Sequence, residues 1–172
     1  MHNRQEKVLE LLEKSGPRLH DLLARLTLSE DAVGDLLQEL FIRLSSSSGL
    51  DKAKDPFAYA HRAAINLAFE WRRRQKLKCQ SLDEDCLAAS SSSPLGMVIR
   101  REELEKLLDA TSQLSRLARD VVVMHYIEQE SYEEISRRLG KDAHYLRSVS
   151  AKAMDRLRTL LAGERNRPGG KD

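Results

Sequence analysis

Aromatic residues make up only 5% of this 172-residue chain, which also has few glycines (8) and few prolines (4). A composition of this kind fits helices better than sheets. The sequence has no long apolar run that could span a membrane, and its first residues do not follow the pattern of a signal peptide. We therefore expect a cytoplasmic all-α protein without membrane insertion, and its 41% apolar content suffices for packed cores.

Cysteine is equally scarce, and sequence motifs for catalysis are missing. Cys79 and Cys86 lie in a polar stretch and are expected to be reduced thiols, with a redox pair as the alternative. A zinc site is not expected, because no second Cys or His cluster lies nearby in the sequence. The sequence contains no glycine-rich phosphate loop, no G-x-S-x-G and no H-E-x-x-H, and its histidines are scattered. We therefore expect no catalytic residue, no metal and no cofactor.

Charge is distributed in blocks, although the net charge is only +2. Residues 45–80 carry 8 bases and 3 acids, and residues 113–172 carry 12 bases and 9 acids. Between them, residues 81–112 carry 7 acids and 3 bases. Two basic blocks separated by an acidic one suggest two contacts with a polyanion and a connector that avoids it.

The segment from Ser131 to Arg158 has the pattern of a helix-turn-helix. Ser131 and Glu134 form an S-x-x-E capping box, Gly140 can end the first helix, and Asp142 is a suitable N-cap for the second. The second helix has an apolar side that includes Leu146 and Leu157. Its other side carries His144, Arg147, Ser148, Ala151 and Lys152. In a DNA-binding helix-turn-helix the second helix enters the major groove, but a helical hairpin with a solvated basic face is equally consistent with this stretch alone.

The N-terminal part predicts short helices interrupted at Gly16-Pro17 and a longer helix opened by a Thr27–Glu30 capping box. That helix has one wide apolar stripe, formed by Val33, Leu36, Leu37, Leu40, Phe41 and Leu44. Its opposite face carries Asp35, Gln38, Glu39 and Ile42. An isoleucine beside acids on an outer face suggests a partner surface.

A break at Ser45–Gly49 precedes a long helix that Asp55 caps and Pro56 begins. Its predicted buried stripe is Phe57, Ala60, Ala64, Leu67, Ala68 and Trp71, and its predicted outer strip is Arg62, Asn66, Phe69, Glu70 and Arg73. The helix ends in W-R-R-R-Q-K-L-K, five bases without an acid. A basic run of this kind either binds phosphates or is a solvated helix end.

The serine-rich acidic stretch after this helix lacks periodicity and is predicted to be a linker between two small helical domains. The expected organisation is a first domain over residues 1–78, a flexible linker over 79–97, a second domain over 98–162 and a disordered tail over 163–172.

Three motifs in this order resemble the two-domain, extracytoplasmic-function type of bacterial sigma factor, a branch of the sigma-70 family. D-L-L-Q-E-L-F-I-R-L (35–44) resembles the D-x-x-Q-E-x-F helix of sigma region 2. D-P-F-A-Y-A-H-R-A-A-I-N-L-A-F-E-W-R-R-R (55–74) is similar to the family's next helix, and Y-E-E-I-S-R-R-L-G (132–140) resembles the scaffold helix of region 4. Together they identify the chain as a candidate member of that family.

The resemblance implies a factor that binds core RNA polymerase, directs it to promoter DNA and is commonly held by an anti-sigma factor. Docking on polymerase would fall to Asp35, Gln38, Glu39 and Ile42. The −10 element would contact Arg62, Asn66, Phe69, Arg72, Arg73, Arg74, Lys76 and Lys78. Asn66 matches the asparagine that contacts an unstacked base, for which an amide side chain is suited. The −35 element would contact His144, Tyr145, Arg147, Ser148, Ala151 and Lys152.

The recognition helix departs from the family pattern at two positions, where Val149 replaces an arginine and Ser150 replaces a buried leucine. Two other functions fit the same features. One is a helix-turn-helix regulator that never touches polymerase, and the other is a helical adaptor whose basic runs are merely solvated.

Overall fold

The computed structural model describes residues 2–81 and 95–165, which are almost entirely helical and contain no strand. The helices are α1 (His2–Thr27), α2 (Glu30–Ser46), α3 (Gly49–Lys52), α4 (Pro56–Ser81), α5 (Leu95–Ser112), α6 (Arg116–Val122), α7 (Tyr132–Leu139) and α8 (Ala143–Arg165). The chain divides into two compact units, residues 1–73 with 137–140 and residues 74–136 with 141–172. The prediction of an all-α protein is confirmed.

Helices α1 and α2 pack against each other as a hairpin with a leucine-rich core. The buried side chains of this pair include Leu19, Leu22, Leu23, Leu26, Val33, Leu36, Leu40 and Leu44. The predicted stripe on α2 is thus largely confirmed, although Leu37 and Phe41 are only half-buried. Two residues connect the helices. Leu28 adopts a left-handed φ of 55° and donates its backbone N–H to the Ala24 carbonyl, 2.9 Å away.

The predicted helix break at Gly16-Pro17 is wrong, because α1 runs through it as a single helix with Pro17 inside. Proline removes one backbone donor and crowds the preceding turn, which usually ends a helix. Here Pro17 and the preceding Glu13 are both exposed, so water can satisfy the carbonyl that loses its partner. Val8 and Leu19, one on each side of the proline, are fully buried, and their packing keeps the helix continuous.

Two further predictions about helix ends near α2 are wrong. Thr27 does not open α2 but ends α1, and its hydroxyl donates to the Leu23 carbonyl at 2.8 Å. Ser29 precedes α2 without a capping hydrogen bond from its side chain. The predicted break at Ser45–Gly49 is reduced to two residues, because α2 extends to Ser46 and the short helix α3 begins at Gly49.

Helix α4 begins as predicted. Asp55 Oδ1 accepts a hydrogen bond from the Ala58 backbone N–H at 3.0 Å, and Pro56 is the first helical residue. Its buried side chains are Ala58, Ala60, His61, Ala64, Ile65, Leu67, Ala68, Phe69 and Arg72. Phe57 and Trp71, predicted to be buried, are half-buried. The buried face of α4 is therefore wider than the predicted stripe.

The ends of the predicted linker and tail are helical. Helix α4 continues to Ser81 and α5 begins at Leu95, so residues 79–81 and 95–97 do not belong to an irregular linker. Helix α8 likewise extends three residues into the predicted tail, to Arg165. Residues 82–94, which include Cys86, and residues 166–172 lie outside the described part of the chain. The division into domains at the predicted boundaries stays a prediction.

In the second unit α8 packs against α5 and α6. Its core contains Ala110, Ala118, Val122, Ala153 and Leu157. Helix α6 continues into a π-helical turn over Val123–Ile127, which sequence periodicity did not predict. Turns of this type are often found at functional sites because the extra residue changes the direction of the side chains that follow.

The predicted helix-turn-helix is confirmed in its local detail. Ser131 and Glu134 form the reciprocal capping box, with Ser131 N–H donating to Glu134 Oε2 at 2.9 Å and Glu134 N–H donating to Ser131 Oγ at 3.2 Å. Gly140 has a left-handed φ of 61°. Asp142 Oδ1 accepts from the Tyr145 backbone N–H at 3.0 Å and caps α8.

Candidate nucleic-acid interface

The outer face of α2 carries exposed polar side chains around an exposed isoleucine. Asp35 and Gln38 are exposed, and 62% of the surface of Ile42 is accessible. Glu39, the fourth residue predicted for this face, is half-buried. An apolar residue surrounded by polar ones has the composition of the centre and rim of a protein interface.

Glu39 is tied to α4 through an arginine that sequence analysis did not single out. Arg43 Nη2 pairs with Glu39 and also with Glu70 Oε2, 2.8 Å away on α4. The hydrogen bond with Glu70 is the largest of the effects that raise the pKa of the Arg43 guanidinium. This bridge fixes the position of the Glu39 carboxylate. The spacing of Glu39 and Arg43, four residues apart on a helix, is the sequence signal that could have revealed it.

Six of the eight residues predicted for the −10 element are accessible on α4. Arg62 and Asn66 are half-buried, whereas Arg73, Arg74, Lys76 and Lys78 are exposed. Cys79 is also exposed at this end of the helix. The accessible side chains therefore comprise one amide, which can bond to a base edge, and five cations, which can neutralise phosphates.

The predicted exposure of Phe69 and Arg72 is wrong. Phe69 is completely buried, and only 6% of Arg72 is accessible. Arg72 Nη1 donates to the Leu26 carbonyl at the end of α1, 3.4 Å away, so this guanidinium links two helices. Ile65, Phe69 and Arg72 are spaced i, i+4 and i+7 and lie on one helical face, which explains their common burial.

Helix α8 exposes all six residues predicted for the −35 element. Its inward side chains Leu146, Ala153 and Leu157 are buried. His144, Tyr145, Arg147, Ser148, Ala151 and Lys152 are all exposed. Arg156, which sequence analysis missed, is exposed one turn beyond Lys152. Its i+4 spacing from Lys152 would have indicated that it extends the same basic face.

Two side chains of α7 contact the middle of this face. Arg147 forms an ion pair with Glu133, and its Cζ lies 5.4 Å from the centroid of the Tyr132 ring. The Tyr132 hydroxyl donates to Ser150 Oγ at 3.0 Å, and Ser150 is only 1% accessible. The serine that departs from the family pattern thus forms a polar contact where a leucine would make an apolar one.

No cluster of three or more His, Cys, Asp or Glu side chains in the described part of the chain could hold a metal ion. None of the described helices combines the length and the apolar composition needed to cross a membrane.

Comparison with known proteins shows the family to which the chain belongs. Residues 11–78 match the family model for sigma-70 region 2, and residues 104–144 match the model for sigma-70 region 4. An RNA polymerase sigma-E factor of Streptomyces antibioticus is 31% identical over 130 residues, which cover 74% of this chain and 69% of the relative. The chain belongs to the extracytoplasmic-function sigma factors of the sigma-70 family. Such sigma factors are regulatory subunits without enzymatic activity of their own.

The sigma factor also resembles the ECF RNA polymerase sigma factor SigE of Mycolicibacterium smegmatis, with 30% identity over 159 residues. The alignment covers 89% of this chain but only 61% of that relative. Among solved structures, the sigma factor RpoE from Bartonella quintana, crystallised with the anti-sigma factor NepR, is 17% identical and gives a TM-score of 0.47. That alignment covers 94% of this chain and 98% of the other. The family assignment rests on the two region models and the relatives, not on this structural likeness.

Proposed function

We propose that this sigma factor binds core RNA polymerase and directs initiation at promoters with −10 and −35 elements. The observation that carries the proposal is that regions 2 and 4 match in this order within one chain. Family membership also supports an anti-sigma factor as a further partner, and action in the cytoplasm, where polymerase transcribes. The residue roles below are part of the proposal.

The polymerase contact is assigned to the outer face of α2. Ile42 would be the apolar anchor, with Asp35, Gln38 and Glu39 as its polar rim. The Arg43 bridge to Glu70 holds the Glu39 carboxylate in one orientation before binding. A carboxylate that is already oriented loses less side-chain entropy when a basic partner surface pairs with it.

The −10 contact is assigned to the accessible side of α4. Asn66 would bond to the edge of an unstacked base, since its amide supplies one donor and one acceptor in a fixed geometry. Arg73, Arg74, Lys76 and Lys78 would contact the phosphates of the opened strands. Phe69 and Arg72 are assigned no DNA contact, because burial gives them a structural role instead.

The −35 contact is assigned to the exposed face of α8, which would lie in the major groove of duplex DNA. Arg147 is suited to a guanine edge because its planar guanidinium offers paired donors. Lys152 and Arg156, farther along the helix, would contact the phosphate backbone and fix the orientation of the helix.

Charge reversal on α2 tests the polymerase contact. Asp35→Lys combined with Glu39→Lys should reduce co-purification with core polymerase by roughly tenfold or more, because it would place like charges against a basic partner surface. The matched control is Glu6→Lys with Glu13→Lys, which makes the same charge change at exposed positions of α1. Undiminished co-purification of the α2 variant would show that the polymerase contact lies elsewhere on the chain, and a wild-type chain that does not co-purify would act as a regulator without polymerase.

In vitro transcription with core polymerase over a genomic library tests the whole proposal. The expected result is initiation from a defined promoter set that requires this chain and shares −10 and −35 sequences. Addition of the chain without any change in the start sites used by core polymerase would refute the proposed function.

A further inference from the structure

The side chain of Arg147 is held from two directions by the neighbouring helix α7. One terminal nitrogen of its guanidinium pairs with Glu133 Oε1, and the guanidinium also lies over the Tyr132 ring at 5.4 Å. Arg147 and Glu133 are both solvent-accessible. Thus one exposed cation of the recognition helix contacts an anion and an aromatic ring that are adjacent in sequence.

Tyr132 is itself fixed in place by contacts on other sides. Its ring stacks on His125 with a centroid distance of 4.1 Å and an interplanar angle of 25°. His125 lies in the π-helical turn, where its Nδ1 is 2.8 Å from the Glu130 carbonyl oxygen. The Tyr132 hydroxyl donates to the buried Ser150 Oγ. The ring is therefore a rigid platform for the arginine.

The strength of the two contacts is suited to orienting Arg147 without locking it. An exposed ion pair and an exposed cation–π contact each change an equilibrium about two- to fivefold. Together they favour one orientation of a side chain that otherwise has many rotamers. A bidentate bond to a guanine edge is stronger than either contact, so DNA can still draw the guanidinium into the groove.

Glu133 also bears on which part of DNA the arginine contacts. An arginine near a groove can bind either a base edge or a phosphate, and only the base edge carries sequence information. The carboxylate partly neutralises Arg147 and repels nearby phosphates, which weakens the phosphate contact more than a directional bond to a base. The restraint from α7 therefore favours the sequence-specific contact of Arg147 with a base edge over its non-specific contact with a phosphate.

We propose that Tyr132 and Glu133 are positioning residues that set the base preference of Arg147. This role rests on the proposed function, because it requires α8 to read promoter DNA. It assigns to α7 a contribution to sequence specificity, although neither Tyr132 nor Glu133 need touch a base.

The test measures base preference with the full chain bound to core polymerase. Binding is compared for promoters that carry each of the four base pairs at each −35 position. Arg147→Ala identifies the base pair that the arginine reads. At that pair, Glu133→Gln and Tyr132→Leu should each reduce the preference about threefold, as expected from loss of one contact. Glu133→Asp and Tyr132→Phe, which keep the charge and the ring, should retain most of it.

Asp155→Asn is the matched charge control. Asp155 pairs with Arg158 at 2.8 Å on an exposed part of α8, the helix that carries Arg147. This variant therefore also removes one carboxylate from an exposed arginine. Both Asp155→Asn and Glu133→Gln should tighten binding to every sequence, since each removes a negative charge near DNA. Only Glu133→Gln should also flatten the preference at the base pair read by Arg147.

Three results would overturn the positioning role. In the first, Arg147→Ala removes the preference while Glu133→Gln and Tyr132→Leu leave it unchanged. In the second, Arg147→Ala changes no preference. In the third, Asp155→Asn flattens the preference as much as Glu133→Gln does. In all three the wild-type chain still selects promoters, so the proposed function stands; a wild-type chain that selects none refutes both.

Discussion

Gly49 shows how a single residue determines the packing between the start of α3 and α4. A Cβ atom added at Gly49 would lie 2.5 Å from the Tyr59 hydroxyl oxygen and 2.8 Å from its ring. That hydroxyl is held by Ser47 Oγ, 2.7 Å away, so the ring cannot move aside without loss of a hydrogen bond. Glycine is needed here for close approach.

We therefore expect Gly49→Ala to lower the free energy of unfolding by about 1–3 kcal/mol, the usual cost of overpacking. Gly34→Ala is the control, because a Cβ at that exposed position of α2 would meet nothing within 4 Å. That change should raise stability by about 0.5–1 kcal/mol, since alanine favours a helix. Urea unfolding followed by Trp71 fluorescence measures both, because the single tryptophan lies in the first unit. Equal effects of the two substitutions would contradict the packing argument.

Sequence reasoning succeeded for residues whose role is local and failed where tertiary contacts decide. Ser131, Asp55 and Asp142 were predictable as caps because a cap depends on a few neighbouring backbone groups. The basic run at the end of α4 and the family resemblance predict a DNA contact for Arg72, and only the approach of α1 shows that it is buried. Phe69 could have been recognised as buried from its four-residue spacing to Ile65.

At the scale of elements, α1 shows that packing can override a strong helix-breaking signal. Gly16-Pro17 lies in the middle of a 26-residue helix, with buried residues on both sides. The local signal competed with the packing of α1 against α2 and with the burial of Val8 and Leu19 on either side of the proline. The π-helical turn after α6 is a second case, since no periodicity in the sequence distinguishes it from an α-helix.

Replacement of Pro17 by alanine should therefore stabilise the first unit. We expect Pro17→Ala to raise the free energy of unfolding by about 1–3 kcal/mol, because it restores a backbone hydrogen bond and removes a clash inside a helix. Gly16→Ala should give a smaller gain, about 0.5–1 kcal/mol, from helix propensity alone. Trp71 fluorescence in urea again reports the change. Loss of stability in Pro17→Ala would contradict this expectation and would show that the fold needs proline at this position of α1.

At the scale of the whole molecule, the uneven distribution of charge favours a DNA-binding protein over a protein adaptor. The basic block over residues 45–80 and the basic excess over residues 113–172 coincide with the exposed cations of α4 and α8. The order of the two sigma regions was predictable from three motifs, because each motif is contained within one segment. The ends of the linker were not, because helices α4 and α5 extend beyond the periodic pattern.

Promoter binding with core polymerase should weaken steeply as salt rises, since each phosphate contact releases counterions. Arg73→Gln with Arg74→Gln should reduce the slope of log affinity against log salt by about 0.7–0.9 per residue. Lys7→Gln with Lys14→Gln, which removes two exposed cations from α1, should leave the slope unchanged. A flat salt response of the wild-type complex would favour the adaptor.

The two-residue connection between α1 and α2 affects when this hairpin folds during synthesis of the chain. Closing so short a loop has a small entropic cost, so the hairpin can form as soon as Ser46 has left the ribosome. At roughly 5–20 residues per second, synthesis reaches the start of α8 on the order of 5–20 s after Ser46 has been added to the chain. The surface around Ile42 is therefore expected to exist on the nascent chain before the recognition helix has been translated.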